Sequence, residues 1–253
     1  MLNYVAAEWY KLFRRKGLMG FFALLLLLEA GLFAPWNWSG SPGLNTYCVI
    51  LIGTLPLGFF LAPIIAAQVF DDQFGRGTLK NEIVYGIPRS RVYLGKLTTG
   101  MLMGTQAALI VLGWYLLLAV MSCGLGDVWS KFYLRMMLTM FLAALPLWLA
   151  SFSLTFLFLT LIRSAAAAVA VNYLVLVFSV PLGMIWMQED REHSLLLRGL
   201  DQIFFISPMR VFCWGYGGAE ATAWGFAECW LMGLAWGMAT TAVGLLVLKH
   251  REI

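Results

Sequence analysis

Charge is scarce in this sequence. Only 12% of its 253 residues are charged while 61% are hydrophobic, which is more apolar surface than one soluble core of this length can bury. The chain is therefore predicted to lie in a membrane. Its formal net charge of +4 reflects membrane topology in this interpretation, so nucleic acid is not expected among its partners.

The sequence also lacks the motifs that carry common chemistries. It contains no GxxxxGK[ST] loop to cradle phosphates, no HExxH pair for zinc and no GxSxG nucleophile elbow. We therefore expect no catalytic, cofactor-binding or metal-binding residues in this chain, and no enzyme activity of its own.

Cysteine is rare, and its spacing argues against a zinc site. The four cysteines form no CxxC pair, and no pair of histidines lies near them. Two interpretations stay open, namely small apolar fillers of the core or a disulfide on the outer side of the membrane. The residues concerned are Cys48, Cys123, Cys213 and Cys229.

Six apolar stretches are long enough to cross a bilayer as helices. They predict an all-α polytopic membrane protein, with the whole chain 1–253 as a single transmembrane domain. The predicted spans are 17–36, 47–70, 97–121, 136–162, 164–187 and 223–248. Within them, helices are expected to kink or loosen at Pro56, Pro63, Pro146 and Pro181.

The basic residues predict the orientation of these spans. With the N-terminus inside, 12 of the 17 basic residues lie on the cytoplasmic side, where short loops retain them. Both termini are then cytoplasmic. Tryptophans near the predicted outer boundary agree with this orientation: Trp36, Trp38, Trp129, Trp186, Trp214 and Trp224.

Residues 1–16 are predicted to form an amphipathic interface helix on the inner membrane surface. Its apolar face holds Val5, Trp9, Leu12 and Phe13, and its polar face holds Glu8, Lys11, Arg14 and Arg15. The helix either anchors the topology only or also braces a partner.

A charged segment, 71–96, separates the second and third predicted spans. We predict that Asp71 and Asp72 lie in the first turn of a short cytoplasmic helix that ends at Gly86. A second, basic helix then leads from Arg89 into the third span.

An apolar stripe runs along this short cytoplasmic helix, formed by Leu79, Ile83 and Val84. Such a stripe needs a cover, so docking to a partner is favoured over a simple connector.

Two further features suggest function without deciding it. The outer segment 188–222 is predicted to form a hairpin of short helices at the outer leaflet, either a cap over an exit or lateral packing. Glu29 is predicted about 20 Å above Lys16, at about 1.5 Å per residue, in the outer half of the first span. It either lines a substrate path, is neutral, or extends outward to water.

Four segments resemble the permease subunit of bacterial ABC-2 type transporters, in particular the small six-span permeases of bacitracin, lantibiotic-immunity and phenol-soluble-modulin export systems. These segments are AEWYKLFRRKG before the first span, GTLKNEIVYGIPRSRVYLGK after the second, ISPMR before the last and LKHREI at the end.

The resemblance implies the working parts of an exporter. The short cytoplasmic helix resembles a coupling helix that docks on a separate ATP-binding subunit, where ATP and Mg²⁺ bind. Two such subunits would serve two permeases, this chain with a second copy or a related permease, in the bacterial cytoplasmic membrane. The implied coupling residues are Gly77, Thr78, Leu79, Lys80, Glu82, Ile83, Tyr85 and Arg163.

The implied cargo is an amphipathic peptide or toxin, while small hydrophobic drugs or lipids stay open. A stand-alone scaffold or channel would need a continuous polar stripe, and a secondary transporter would need paired charges in the spans. The predicted spans contain neither.

Overall fold

Helices make up the regular structure in the part of the chain that the computed structural model describes: residues 2–33, 43–75, 86–123, 128–162, 164–188 and 223–250. No strand occurs among these residues, which confirms the all-α class. In chain order the helices are α1 (Leu2–Phe13), α2 (Lys16–Phe33), α3 (Leu44–Thr54), α4 (Leu57–Gly75), α5 (Arg89–Cys123), α6 (Val128–Leu161), α7 (Ala165–Gln188) and α8 (Ala223–His250).

The long apolar runs fold as helices because a helix satisfies its own backbone polar groups in hydrocarbon. Helices α5, α6 and α8 are long and apolar enough to cross a membrane, and a fourth span is added if α3 and α4 count as one bent span. A helix lies at each of the six predicted segments. The chain is thus an integral membrane protein, and the count of six spans stays a prediction.

Helix α6 is the centre of the bundle. It packs against α3, α4, α5, α7 and α8, most extensively against α8. In its most apolar window 72% of the residues are buried, against 28% in α5 and 22% in α8. These five helices therefore surround α6, and their outer faces are left for lipid or partner subunits.

Helix α1 and the last turn of α8 lie at the same end of the bundle. Leu12 of α1 and Leu248 of α8 belong to one cluster of buried apolar side chains. A second cluster of buried apolar side chains contains Leu44 and Cys229. The placement of both termini in the cytoplasm stays a prediction.

The second predicted span is broken. Helices α3 and α4 meet at Leu55 and Pro56 with a bend of 57°. Pro63 and Pro146, by contrast, lie inside the continuous helices α4 and α6. Of these three prolines, Pro56 lies at a break between two helices.

The charged segment begins later than predicted. Helix α4 continues through Asp71 and Asp72 to Gly75, so the prediction that these acids open a new helix is wrong. Backbone hydrogen bonds carry a helix beyond the point where its apolar run ends. Downstream, Gly86 has a φ of 83°, in the left-handed region that glycine favours, and α5 begins at Arg89 as predicted.

Candidate functional site

A buried ion pair joins α1 to the first turns of α5. Glu8 is only 5% exposed and Lys96 is fully buried. The Lys96 Nζ lies 3.2 Å from Glu8 Oε2, and the Lys11 Nζ lies 2.6 Å from Glu8 Oε1. The prediction that Glu8 lies on the exposed polar face is therefore wrong, because a lysine 88 residues away pairs with it in the interior.

Two opposing influences act on the Glu8 carboxyl. Burial by itself would raise its pKa, but the ammonium groups of Lys96 and Lys11 outweigh burial and hold the pKa below its ordinary value. Glu8 is therefore a carboxylate at neutral pH, and the pair with Lys96 is ionic.

Close packing surrounds this ion pair. The Tyr4 ring lies so near Gly95 that a Cβ there would come within 2.4 Å of it. The Lys96 Nζ lies 5.8 Å from the centre of the same ring. Glycine at position 95 thus allows α1 to lie directly against α5.

Residues 76–85 are flanked by α4 and α5. Two arginines connect these helices to other parts of the bundle. The Arg15 guanidinium donates to the Gln68 carbonyl in α4. The Arg89 guanidinium, at the start of α5, donates to the Leu248 carbonyl at 3.2 Å. A cation near the last carbonyls of a helix is favourable, so Arg89 caps α8. Both flanks of residues 76–85 are thereby fastened to other helices.

The break between α3 and α4 is stabilised by its neighbours. Pro63 has no N–H, so the carbonyl four residues before it loses its helical donor, which is costly in apolar surroundings. Side chains of α6 and α7 donate to three carbonyls here: Trp148 Nε1 to Leu55 O (3.2 Å), Ser151 Oγ to Phe59 O (3.3 Å) and Tyr173 OH to Phe60 O (2.8 Å). The bend is therefore a built feature of the bundle.

A cavity of about 420 Å³ lies beside this break, between α2, α3, α4, α5 and α6. Its walls are almost entirely apolar. Among the described residues that line it, Glu29 is the only charged one. The Glu29 Oε2 atom is buried and has no hydrogen-bond partner in the described part of the chain. The residue predicted to face a substrate path thus faces this cavity.

Comparison with known families assigns the bundle. A sequence model described as ABC-2 family transporter protein matches residues 4–181, which is more than half of the chain. The chain belongs to this family. It is therefore the membrane component, or permease, of an ABC transporter, as the resemblance implied. A search among curated proteins finds no match.

All eight predicted coupling residues of the permease lie outside the described structure. Residues 76–85 and Arg163 lie outside the described ranges, and so does the outer segment from 189 to 222. The excluded coupling residues are Gly77, Thr78, Leu79, Lys80, Glu82, Ile83, Tyr85 and Arg163. Ser164, beside the last of them, accepts the Ala168 N–H at 3.0 Å and so begins α7.

Two of the four cysteines are described. Cys48 and Cys229 are buried in the same apolar cluster and form no disulfide in the described part of the chain, which confirms the role of filler for both. The side chains of Cys123 and Cys213 lie outside the described part, so the alternative of an outer disulfide is not tested for them.

Sequence reasoning missed a buried amide in α7. Asn172 is fully buried, and neither Nδ2 nor Oδ1 has a hydrogen-bond partner among the described residues. It lies one turn from Ala168 and one turn from Leu176, and both of these are buried as well. The available signal was a single asparagine inside the apolar run AVAVNYLVLV.

We expect that Asn172→Leu raises the stability of the permease. Leucine has the same branched shape and removes an unpaired buried amide, which costs about 1–3 kcal/mol. A thermal unfolding scan should show a rise of about 2–4 °C per kcal/mol. Asn172→Asp is the matched control and should lower the midpoint. An unchanged midpoint for Asn172→Leu would contradict the prediction, because the amide would then be paired in the membrane.

Proposed function

We propose that this permease is half of the membrane domain of an ATP-driven exporter. It has six spans and lies in a bacterial cytoplasmic membrane with both termini in the cytoplasm. Two permease chains, identical or related, work with two ATP-binding subunits that bind ATP and Mg²⁺. The cargo is an amphipathic peptide or toxin.

Residues 76–85 form the coupling element in this proposal. The observation that carries it is the fastening of their flanks: Arg15 to Gln68 before the segment, and Arg89 to Leu248 after it. The Glu8 and Lys96 pair adds a third tie, about two helical turns further along α5. Movement of a docked ATP-binding subunit would therefore reach α1, α4, α5 and α8 together.

The chemistry of the described spans favours this function over a channel. A channel needs a continuous polar or charged lining. The cavity beside the break has apolar walls and one carboxylate. Energy from a separate ATP-binding subunit supplies the motion that an apolar bundle of this kind cannot draw from an ion gradient.

The decisive measurement is ATP hydrolysis by the permease purified with its ATP-binding subunit in lipid. We expect Leu79→Asp with Ile83→Asp to abolish co-purification of the subunit and permease-dependent hydrolysis, because two carboxylates replace the apolar stripe that docks. Wild-type permease should raise the hydrolysis rate of the subunit above its rate alone.

The matched control carries the same pair of changes on the predicted outer side, Leu195→Asp with Leu196→Asp. It should leave co-purification and hydrolysis at wild-type levels. An unaffected complex in the Leu79 and Ile83 variant, or the absence of any ATP-binding subunit, would overturn the proposal in favour of a scaffold or channel.

A further inference from the structure

The cavity beside the break has one charged group among the described residues that line it. Three of its hydroxyl groups donate to backbone carbonyls: Thr54 to Leu51 O (2.8 Å), Thr105 to Met101 O (2.9 Å) and Tyr115 to Tyr47 O (2.8 Å). Their hydrogens are thus committed to the protein. Glu29 is the lining residue whose charge can hold a charged ligand.

Glu29 stands in surroundings that favour a cation. A carboxylate among apolar side chains at membrane depth is expensive unless it is paired with a positive charge or a proton. No basic residue is among the described residues that line the cavity. The described lining therefore supplies no cation to Glu29 Oε2, and a cationic ligand would supply one.

The rest of the cavity suits hydrocarbon. A volume of about 420 Å³ falls within the range of about 300–1,000 Å³ that is usual for small-molecule sites. Phe22, Trp148 and Phe152 contribute aromatic wall surface. Leu28 and Leu57 also line the cavity and are 56% and 57% exposed. The cavity is therefore open on the lateral, lipid-facing surface of the bundle. A ligand that enters there comes from the bilayer.

We propose that this cavity binds a cationic amphiphile, with its hydrocarbon tail against α4, α5 and α6 and its ammonium or guanidinium group on the Glu29 carboxylate. The site is complete within one chain, and its binding needs neither ATP nor a second permease. Its use as an entry site for exported cargo rests on the proposed function; the binding does not.

A matched pair of photoreactive probes tests the proposal on the purified permease in lipid nanodiscs, without any ATP-binding subunit. One probe is a dodecylammonium and the other a dodecyl sulfate, with the same diazirine in the tail. Mass spectrometry of the labelled peptides locates the cross-links. We expect the ammonium probe to label cavity-lining residues about tenfold more than the sulfate probe, because only the ammonium carries a positive charge that pairs with the Glu29 carboxylate.

Charge variants separate the carboxylate from general membrane partitioning. Glu29→Gln keeps the shape and should abolish the tenfold preference, while Glu29→Asp keeps the charge and should retain part of it. Glu228→Gln removes a carboxylate from α8 that does not line the cavity, and it should leave the preference unchanged.

Glycine variants test the cavity itself. Gly104 lines the cavity, and a Cβ there would meet nothing within 4 Å, so Gly104→Phe should fill the space and reduce labelling by the ammonium probe about tenfold. Gly113 lies on the same helix, is equally open and does not line the cavity. Gly113→Phe should therefore have no effect on labelling.

The outcomes are distinct. Equal labelling by both probes would overturn the proposal and identify a groove for lipid tails of any charge. Absence of labelling at the cavity would overturn it as well. The labelling uses no ATP-binding subunit, so a failure of the ATP-hydrolysis experiment does not change its expected result. A failure of the labelling likewise does not change the expected ATP hydrolysis. The two proposals can therefore fail separately.

Discussion

Replacement of Glu8 by alanine is expected to release α1 from the bundle and to lower the free energy of unfolding by about 3–5 kcal/mol. Lys96 is fully buried and loses the carboxylate that lies 3.2 Å from its ammonium. Amide hydrogen exchange of residues 2–13 reports the release, and a thermal scan reports the stability. Lys96→Met should have a similar effect, because Glu8 is then buried without that ammonium.

Lys11 supplies the matched control, since it contacts the same carboxylate from the exposed side. Its side chain is 59% exposed, so Lys11→Ala should cost only about 0–1 kcal/mol. Unchanged exchange in Glu8→Ala, or equal effects of the Lys11 and Lys96 variants, would contradict a structural role for the buried pair.

The pair also predicts how α1 responds to acid. The pKa of Glu8 in the folded protein is below its ordinary value of 4.5. Its stabilising contribution is therefore complete above pH 4.5 and is lost as the pH falls through the lowered pKa. The amide hydrogen-exchange rate of α1, corrected for the intrinsic effect of pH, should rise in the wild type as the pH falls below 4.5. In Glu8→Gln this rise should be absent.

The local patterns of the sequence predicted the helices well, for identifiable reasons. Apolar runs must be helical in hydrocarbon, so α5, α6 and α8 follow from composition alone. Glycine and proline marked the turn before α5, where Gly86 has a positive φ and Pro88 precedes the first residue of the helix. In both cases the cause lies within a few residues of the effect.

The sequence could not predict features that depend on distant residues. The amphipathic pattern of α1 placed Glu8 outside, because nothing near it in sequence reveals Lys96. Pro56 and Pro63 looked alike, yet only Pro56 coincides with the bend. The pattern located Glu29 in a span, but a cavity exists only once five helices are assembled around it.

Substitution of Gly233 is expected to separate α8 from α6, the most extensive helix contact in the bundle. A Cβ at this position would lie 2.6 Å from the Pro146 carbonyl carbon and 2.7 Å from its oxygen. Backbone atoms inside a helix cannot move aside as a flexible side chain can. Gly233→Ala should therefore cost about 1–3 kcal/mol, and Gly233→Leu should prevent recovery of folded permease.

Gly237, one turn along α8, completes a GxxxG pattern with Gly233 and gives the matched control. A Cβ there would meet nothing within 4 Å, so Gly237→Ala should leave the thermal midpoint unchanged or slightly higher. Equal loss of stability in both variants would mean that the pattern serves another contact.

The expected difference instead divides the permease into two sides. Around α6 and α8 the backbone contacts are close and fixed, whereas α2 and α5 border a cavity where Gly104 has open space. Motion that opens a path for a ligand is therefore expected on the side of Glu29, with α6 and α8 as the frame.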